Sequence, residues 1–203
     1  HLMIVVALQN LVAYSVNMAD NIMLGAYDQT ALSGAATVNQ IFFMVQQVTL
    51  SIGEALVVLG SQYWGQKRTE PICRLTGIAL KLGVICGIII LIAVTVAPVP
   101  ILHIFTDDPA IVAAGMDYLG IIKYTFVLFI ITNVFMAALR CVETVNISFY
   151  ISVVSLLVDV AINYCLIFGK FGCPELGIRG AAIGTLAARI VELLIVVLYA
   201  AFK

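Results

Sequence analysis

Apolar side chains run along this chain in six long stretches, roughly residues 1–25, 33–63, 72–97, 110–137, 147–169 and 178–202, broken by short clusters of Gly, Pro and charge. A helix needs about 20 predominantly apolar residues to cross a bilayer, and every stretch reaches that length. The pattern predicts six transmembrane helices joined by short connections, so that sequence neighbours run antiparallel within one bundle. The chain opens on His1-Leu2 already inside an apolar run, without the basic flank and cleavage site of a signal peptide. It therefore reads as a fragment that begins within its first helix.

Polar residues interrupt this pattern in an ordered way. In the second stretch Asn39, Gln46, Gly53 and Gly60 recur every seven residues, and Gln40, Gln47, Glu54 and Ser61 recur beside them. Seven residues are nearly two helical turns, so both series form one stripe. Such a stripe suits either a close-packed helix interface with amide hydrogen bonds or the lining of a wet cavity. Glu54 favours the cavity, because an ionised side chain near a helix centre costs on the order of 3 kcal/mol unless it meets water or a partner. Asn39, Gln40, Gln46, Gln47 and Glu54 are accordingly the expected cavity lining.

A second group emerges from counting depth along the helices. Asp20 lies five residues before Gly25, Asn163 six before Gly169, and Thr185 five after Gly180. At the rise of an α-helix all three sit roughly 8 Å below the same membrane surface. Asp159 lies one turn deeper on the face of Asn163. Carboxylate, amide and hydroxyl oxygens suit a hard cation, two close carboxylates can share a proton, and each residue alone can bond a neighbouring helix. The spacing leaves these three readings open.

Composition agrees with the helical pattern. Hydrophobic residues make up 63% of the 203 and charged residues 10%, against about 45–50% and roughly 25% in soluble domains. The chain is expected to be an all-α integral membrane protein with the lipid bilayer as its first partner. A net charge of -1 offers no basic field, which sets nucleic acid aside. Lys67, Arg68 and Arg74 between the second and third stretches, Arg140 at the end of the fourth and Lys203 at the end of the sixth mark the cytoplasmic side. Both termini are then cytoplasmic, with Tyr63 and Trp64 at the interface.

The remaining charges suggest no reaction. Arg189 and Glu192 form an i,i+3 pair that neutralises itself, Lys81 snorkels towards the interface, and Asp117 and Lys123 share a face only loosely. His103 is a lone histidine in the outer loop ILHIFTDDP. The five cysteines show no metal or redox spacing and read as small buried side chains. Without a nucleophile and base pair or a phosphate loop, the chain is not read as an enzyme. A short echo, NMADNIMLG then ALSGAAT against DVAINYCLIFG then GIRGAAIGT, is taken as coincidence.

Five pieces carry a resemblance: MADNIMLGAYDQTALSGAAT, LGSQYWGQKR, FTDDPAIVAAGMDYL, AALR and DVAINYCLIFGKFGCPELGIRGAAIGT. In this order and spacing they resemble the amino-terminal six-helix lobe of the MATE family of multidrug and toxic-compound extrusion transporters. The resemblance implies one lobe of a two-lobe antiporter in the cell membrane (plasma or inner membrane). Such a protein exports small organic, usually cationic, compounds in exchange for Na+ or H+. No cofactor is implied beyond that coupling ion. A second six-helix lobe, from the same full-length chain or another copy, is the implied partner.

By the same resemblance the ion site falls on Asp20, Asp159, Asn163 and Thr185. Members with a well-formed site commonly carry Asn first and Asp one turn later on the fifth helix, and this chain reverses that order. Glu143 also follows Arg140 where the family often has Gly. Two rival readings are a related flippase of lipid-linked sugars and a non-transporting membrane scaffold or assembly subunit. The flippase would be expected to line its cavity with cationic groups; the stripe here is amide-rich.

Overall fold

The computed structural model describes residues 2–142, 144–172 and 174–202; the readings made on His1, Glu143, Cys173 and Lys203 lie outside them. All regular structure among the described residues is helical. The elements are α1 (Leu2–Tyr27), α2 (Gln29–Gly65), α3 (Thr69–Val96), α4 (Pro98–His103), α5 (Pro109–Cys141), α6 (Val145–Ile167) and α7 (Ile178–Phe202), with a 3-10 turn at Lys170–Gly172. Stretches within α2, α3, α5, α6 and α7 are long and apolar enough to cross a membrane.

Acids and prolines set where the helices begin. Asp28 caps α2 by accepting from the Ala31 amide at 3.0 Å, and Asp108 caps α5 by accepting from the Ala110 amide at 2.9 Å. Each cap satisfies a backbone donor that has no partner within its helix, which is why α2 starts at Gln29 rather than 33. Pro98 and Pro109 occupy first-turn positions, where the missing N–H costs nothing. His103 accordingly ends the short helix α4 rather than lying in a loop. Its neighbour Leu102 is fully buried beneath Gly115 of α5.

The central helix is α5, which packs against α2, α3 and α7, while α1 bridges α2 and α6, and α6 lies along α7. Helices α1, α2, α5, α7 and α6 thus close a ring, with α3 outside it and α4 over one end of α5. Leu119, Phe126, Ile130, Val134 and Ala137 of α5 are buried in sequence along its length. Phe42 of α2 meets Phe126 and Phe129 at ring-centroid distances of 5.8 and 4.9 Å. The outer surface is apolar: Met18 and Ile22 on α1, and Ile78, Ile85, Ile89 and Ile92 on α3, are exposed. Side chains of this kind facing outward on successive turns are what a bilayer solvates, so the apolar stripe of each helix need not be buried against protein.

The polar stripe of α2 divides on folding. Gly53 lies against Ala137 of α5, and a methyl group added at Gly60 would meet the Cys141 sulfur at 2.7 Å. Gln40, Gln47, Glu54 and Ser61 are exposed. The glycines of one series therefore make a dry contact, while the parallel series is an open face along its length. Cys73 is exposed rather than buried, Cys141 is buried, and Cys86 and Cys165 are intermediate. The two echoed helices, α1 and α6, pack on each other.

Candidate functional site

Inside the ring lies a cavity of about 20 Å³ walled by α1 (Val16, Asn17, Asp20), α2 (Asn39, Phe42), α5 (Tyr118, Ile122, Thr125) and α7 (Thr185, Arg189). That volume accommodates one water-sized particle. Beside it, an open groove of about 420 Å³ runs between α1 and α2. Asn17, Asn39 and Phe42 line both spaces.

Asp20 is 8% exposed, Asp159 1% and Asn163 0%. The amide of Asn163 donates through Nδ2 to Oδ1 of Asp20 at 2.6 Å, joining α6 to α1. Residues expected at one depth thus touch. Asp159, one turn along α6, and Arg189 are electrostatic neighbours of Asp20. Both Asp159 carboxylate oxygens and Asn163 Oδ1 are buried without a hydrogen-bond donor among the described residues. Thr185 donates its hydroxyl to the Ala181 carbonyl at 3.1 Å, which leaves its oxygen free to accept.

The close approach of α6 and α7 depends on small residues in α7. Gly180, Ala181, Ala182 and Gly184 are all buried. A side chain at Gly184 would collide with Oδ1 of Asn163. The glycine lets the helices approach until the polar residues of α6 reach the bundle interior. Ser148, Ser155, Asp159 and Asn163 then form one buried row on α6. Ser155 donates to the Ala188 carbonyl at 3.5 Å.

Carboxylate, amide and hydroxyl oxygens are of the type that suits a hard cation, and of Asp20, Asp159, Asn163 and Thr185 the first and last line the cavity. Among the described residues no group of three or more His, Cys, Asp or Glu is placed to hold a metal ion.

Of the expected cavity lining, Asn39, Gln40, Gln46 and Gln47 line the groove together with Tyr14, Asn17, Asn21 and Phe43. Glu54 is exposed outside it and is an electrostatic neighbour of Arg140. A seven-residue repeat drifts by about 20° per heptad on a straight helix and climbs about 10 Å, which carries Glu54 past the groove. Asp117 does not pair with Lys123: it accepts from Arg179 Nη2 of α7 at 2.8 Å, and Lys123 sits 5.3 Å over the Tyr124 ring. Lys81 is exposed, and His103 is 3.9 Å from Asp107.

Seven of the ten cavity residues were not singled out from the sequence for this site, among them Asn17, Phe42, Tyr118 and Arg189. Arg189 bonds Glu192 at 2.6 Å as its spacing suggested, yet it also walls the cavity. Its spacing of four from Thr185 was the available signal.

The MatE family model matches residues 6–165 of the chain. A Thermotoga maritima protein named "Probable multidrug resistance protein NorM" is 30% identical over 184 residues, covering 90% of this chain and 39% of that protein. A Rhizobium meliloti protein of the same name is 30% identical over 177 residues, covering 85% and 37%. The chain therefore spans well under half the length of these curated relatives. Among solved structures, an outward-facing multidrug resistance MATE family transporter of the MOP superfamily superposes with a TM-score of 0.86 at 18% identity, over 96% of this chain and 42% of that one. A MATE crystal structure in the bent conformation superposes at 0.84, also with 18% identity, over 93% and 41%. At that identity the likeness is one of fold.

Proposed function

This chain belongs to the MATE family, and from that premise we propose that it forms the amino-terminal helical lobe of a cation-coupled efflux transporter in the cell membrane. Cargo occupies the groove between α1 and α2, and the coupling cation, Na+ or H+, is taken by Asp20 and Asp159 with Asn163 and Thr185 beside them. A second lobe, in the same full-length chain or another copy, closes the other side of the groove. Both termini face the cytoplasm. The groove's lining is amides, aromatic rings and Leu50, without Lys or Arg among the described residues. That suits organic cations and neutral compounds, and lacks the charge-assisted donors that the pyrophosphate of a lipid-linked sugar would engage.

The observation that carries the proposal is the wall shared by the two spaces, Asn17, Asn39 and Phe42. A cation arriving among buried acids removes charge that is costly in a low-dielectric interior. That favours one packing of α1 against α2 and α6, and the groove changes with it because they have walls in common. Cargo affinity then differs between the two packings, which is a coupling free energy between two sites.

The test is export by the whole protein, reconstituted in vesicles under an imposed ion gradient, with Asp20→Asn. Gradient-driven export should fall at least roughly tenfold while gradient-independent cargo binding persists, a loss within the usual range of coupling energies. Unimpaired, still gradient-dependent export would remove Asp20 from the mechanism.

A further inference from the structure

Resting on the reading of Asp20 and Asp159 as ion-binding acids, we propose that Arg189 is a tethered competitor of the coupling cation: its guanidinium changes partner between Glu192 and the acid pair as a sodium ion arrives and leaves.

Charged side chains in a membrane-crossing helix face a partner or a cavity, and Arg189 has both. Its side chain is 18% exposed and that of Glu192 7%. The local bond from Nη1 to Glu192 spans 2.6 Å. The guanidinium carbon lies 5.2 Å over the ring of Phe129 on α5, a cation–π contact that holds it within the bundle rather than out towards lipid. One turn from Thr185, it walls the same small cavity as Asp20, and it acts electrostatically on both Asp20 and Asp159.

The hydrogen-bonding inventory makes an exchange of partners feasible. A guanidinium carries five N–H donors in a planar fork, and Glu192 engages one arm of it. On the other side, both oxygens of Asp159 are buried without a donor. The guanidinium thus has donors to spare at the cavity that Asp20 lines, and the unmet acceptors of Asp159 lie within its electrostatic reach. Charge gives the same direction: one guanidinium serves three carboxylates, those of Asp20, Asp159 and Glu192. While sodium sits with the acids the guanidinium stays with Glu192. Once sodium leaves, the acids are the strongest uncompensated charge nearby and draw the guanidinium to them. Arg189 in this role is a positioning residue: it sets how tightly sodium is held and stabilises the sodium-free state, without touching cargo.

The experiment uses the purified whole protein that carries this chain, with sodium binding measured by calorimetric titration at fixed pH and sodium-driven export measured in vesicles. R189Q removes the competitor, so the half-saturating sodium concentration should fall roughly five- to tenfold. E192Q frees the guanidinium for the acid pair, so the same quantity should rise by a similar factor. The double variant R189Q/E192Q should follow R189Q. If both single variants shift in the same direction, or the double variant returns to the wild-type value, Arg189 and Glu192 are only a structural ion pair and the inference is overturned. Should R189Q fail to fold, E192Q and the double variant still decide the point. A wild-type protein that binds no sodium also overturns it, whereas the proposed function fails separately, by full ion response in Asp20→Asn.

Discussion

Helices α2 and α6 each carry a row of polar residues through the membrane region, and the two rows meet opposite fates. On α2 the row is made of amides and faces an open groove, Asn39 and Gln46 partly covered and Gln40 and Gln47 exposed. On α6 it comprises Ser148, Ser155, Asp159 and Asn163, all buried against α1 and α7. Neutral amides can exchange water for cargo at little cost. A buried carboxylate must instead find a donor, a cation or a proton. On the proposed reading, the groove accepts varied occupants and the sealed row responds to one small positive charge.

Removing the charge from the sealed row should have the largest effect. Asp159→Asn keeps the shape and deletes the carboxylate that has no donor. Ion-dependent export should fall by roughly ten- to a hundredfold, the range of typical site-to-site coupling, with cargo binding largely retained. If cargo binding and ion response fell together, the division of labour between the rows would be wrong.

A second variant tests what seals the row. Gly184→Ala introduces a Cβ where Asn163 Oδ1 now sits. Overpacking of this kind costs about 1–3 kcal/mol. The melting temperature should drop and the Asp20–Asn163 contact should break, weakening ion binding more than cargo binding. Unchanged ion affinity would mean that the approach of α6 and α7 is incidental to the site.

The smallest effect belongs to the open row. Gln47→Ala removes one amide from a groove that offers several others. At about 0.5–1.5 kcal/mol for a hydrogen bond, cargo affinity should weaken only a few-fold, with the ion response intact. An altered ion requirement would contradict the comparison from the other side.

Much of this architecture was legible in the sequence because membrane helices announce themselves by length and apolarity. The short helix α4 was missed because Pro98 and Pro100 were read as loop punctuation, although a proline in the first turn starts a helix as readily as it ends one. Asp20 and Asn163 were matched by depth, since a terminal glycine and a fixed rise give a usable ruler. Arg189 was read only as the partner of Glu192, because an i,i+3 pair is visible in one helix. Its position on the cavity wall depends on how α5 and α7 pack across from α1, which no single helix encodes. Glu54 was grouped with the amides by a heptad repeat whose small angular drift and steady rise carried it away from them.

The central claim is that ion and cargo communicate across the wall of Asn17, Asn39 and Phe42. It is tested most directly by measuring the dissociation constant of a transported organic cation across a sodium or proton titration, and that of the ion across a cargo titration. The account predicts that each ligand changes the other's affinity by the same factor, within about 5- to 150-fold, and that Asp20→Asn abolishes both changes together. Two affinities that stay independent in the wild-type protein would contradict it.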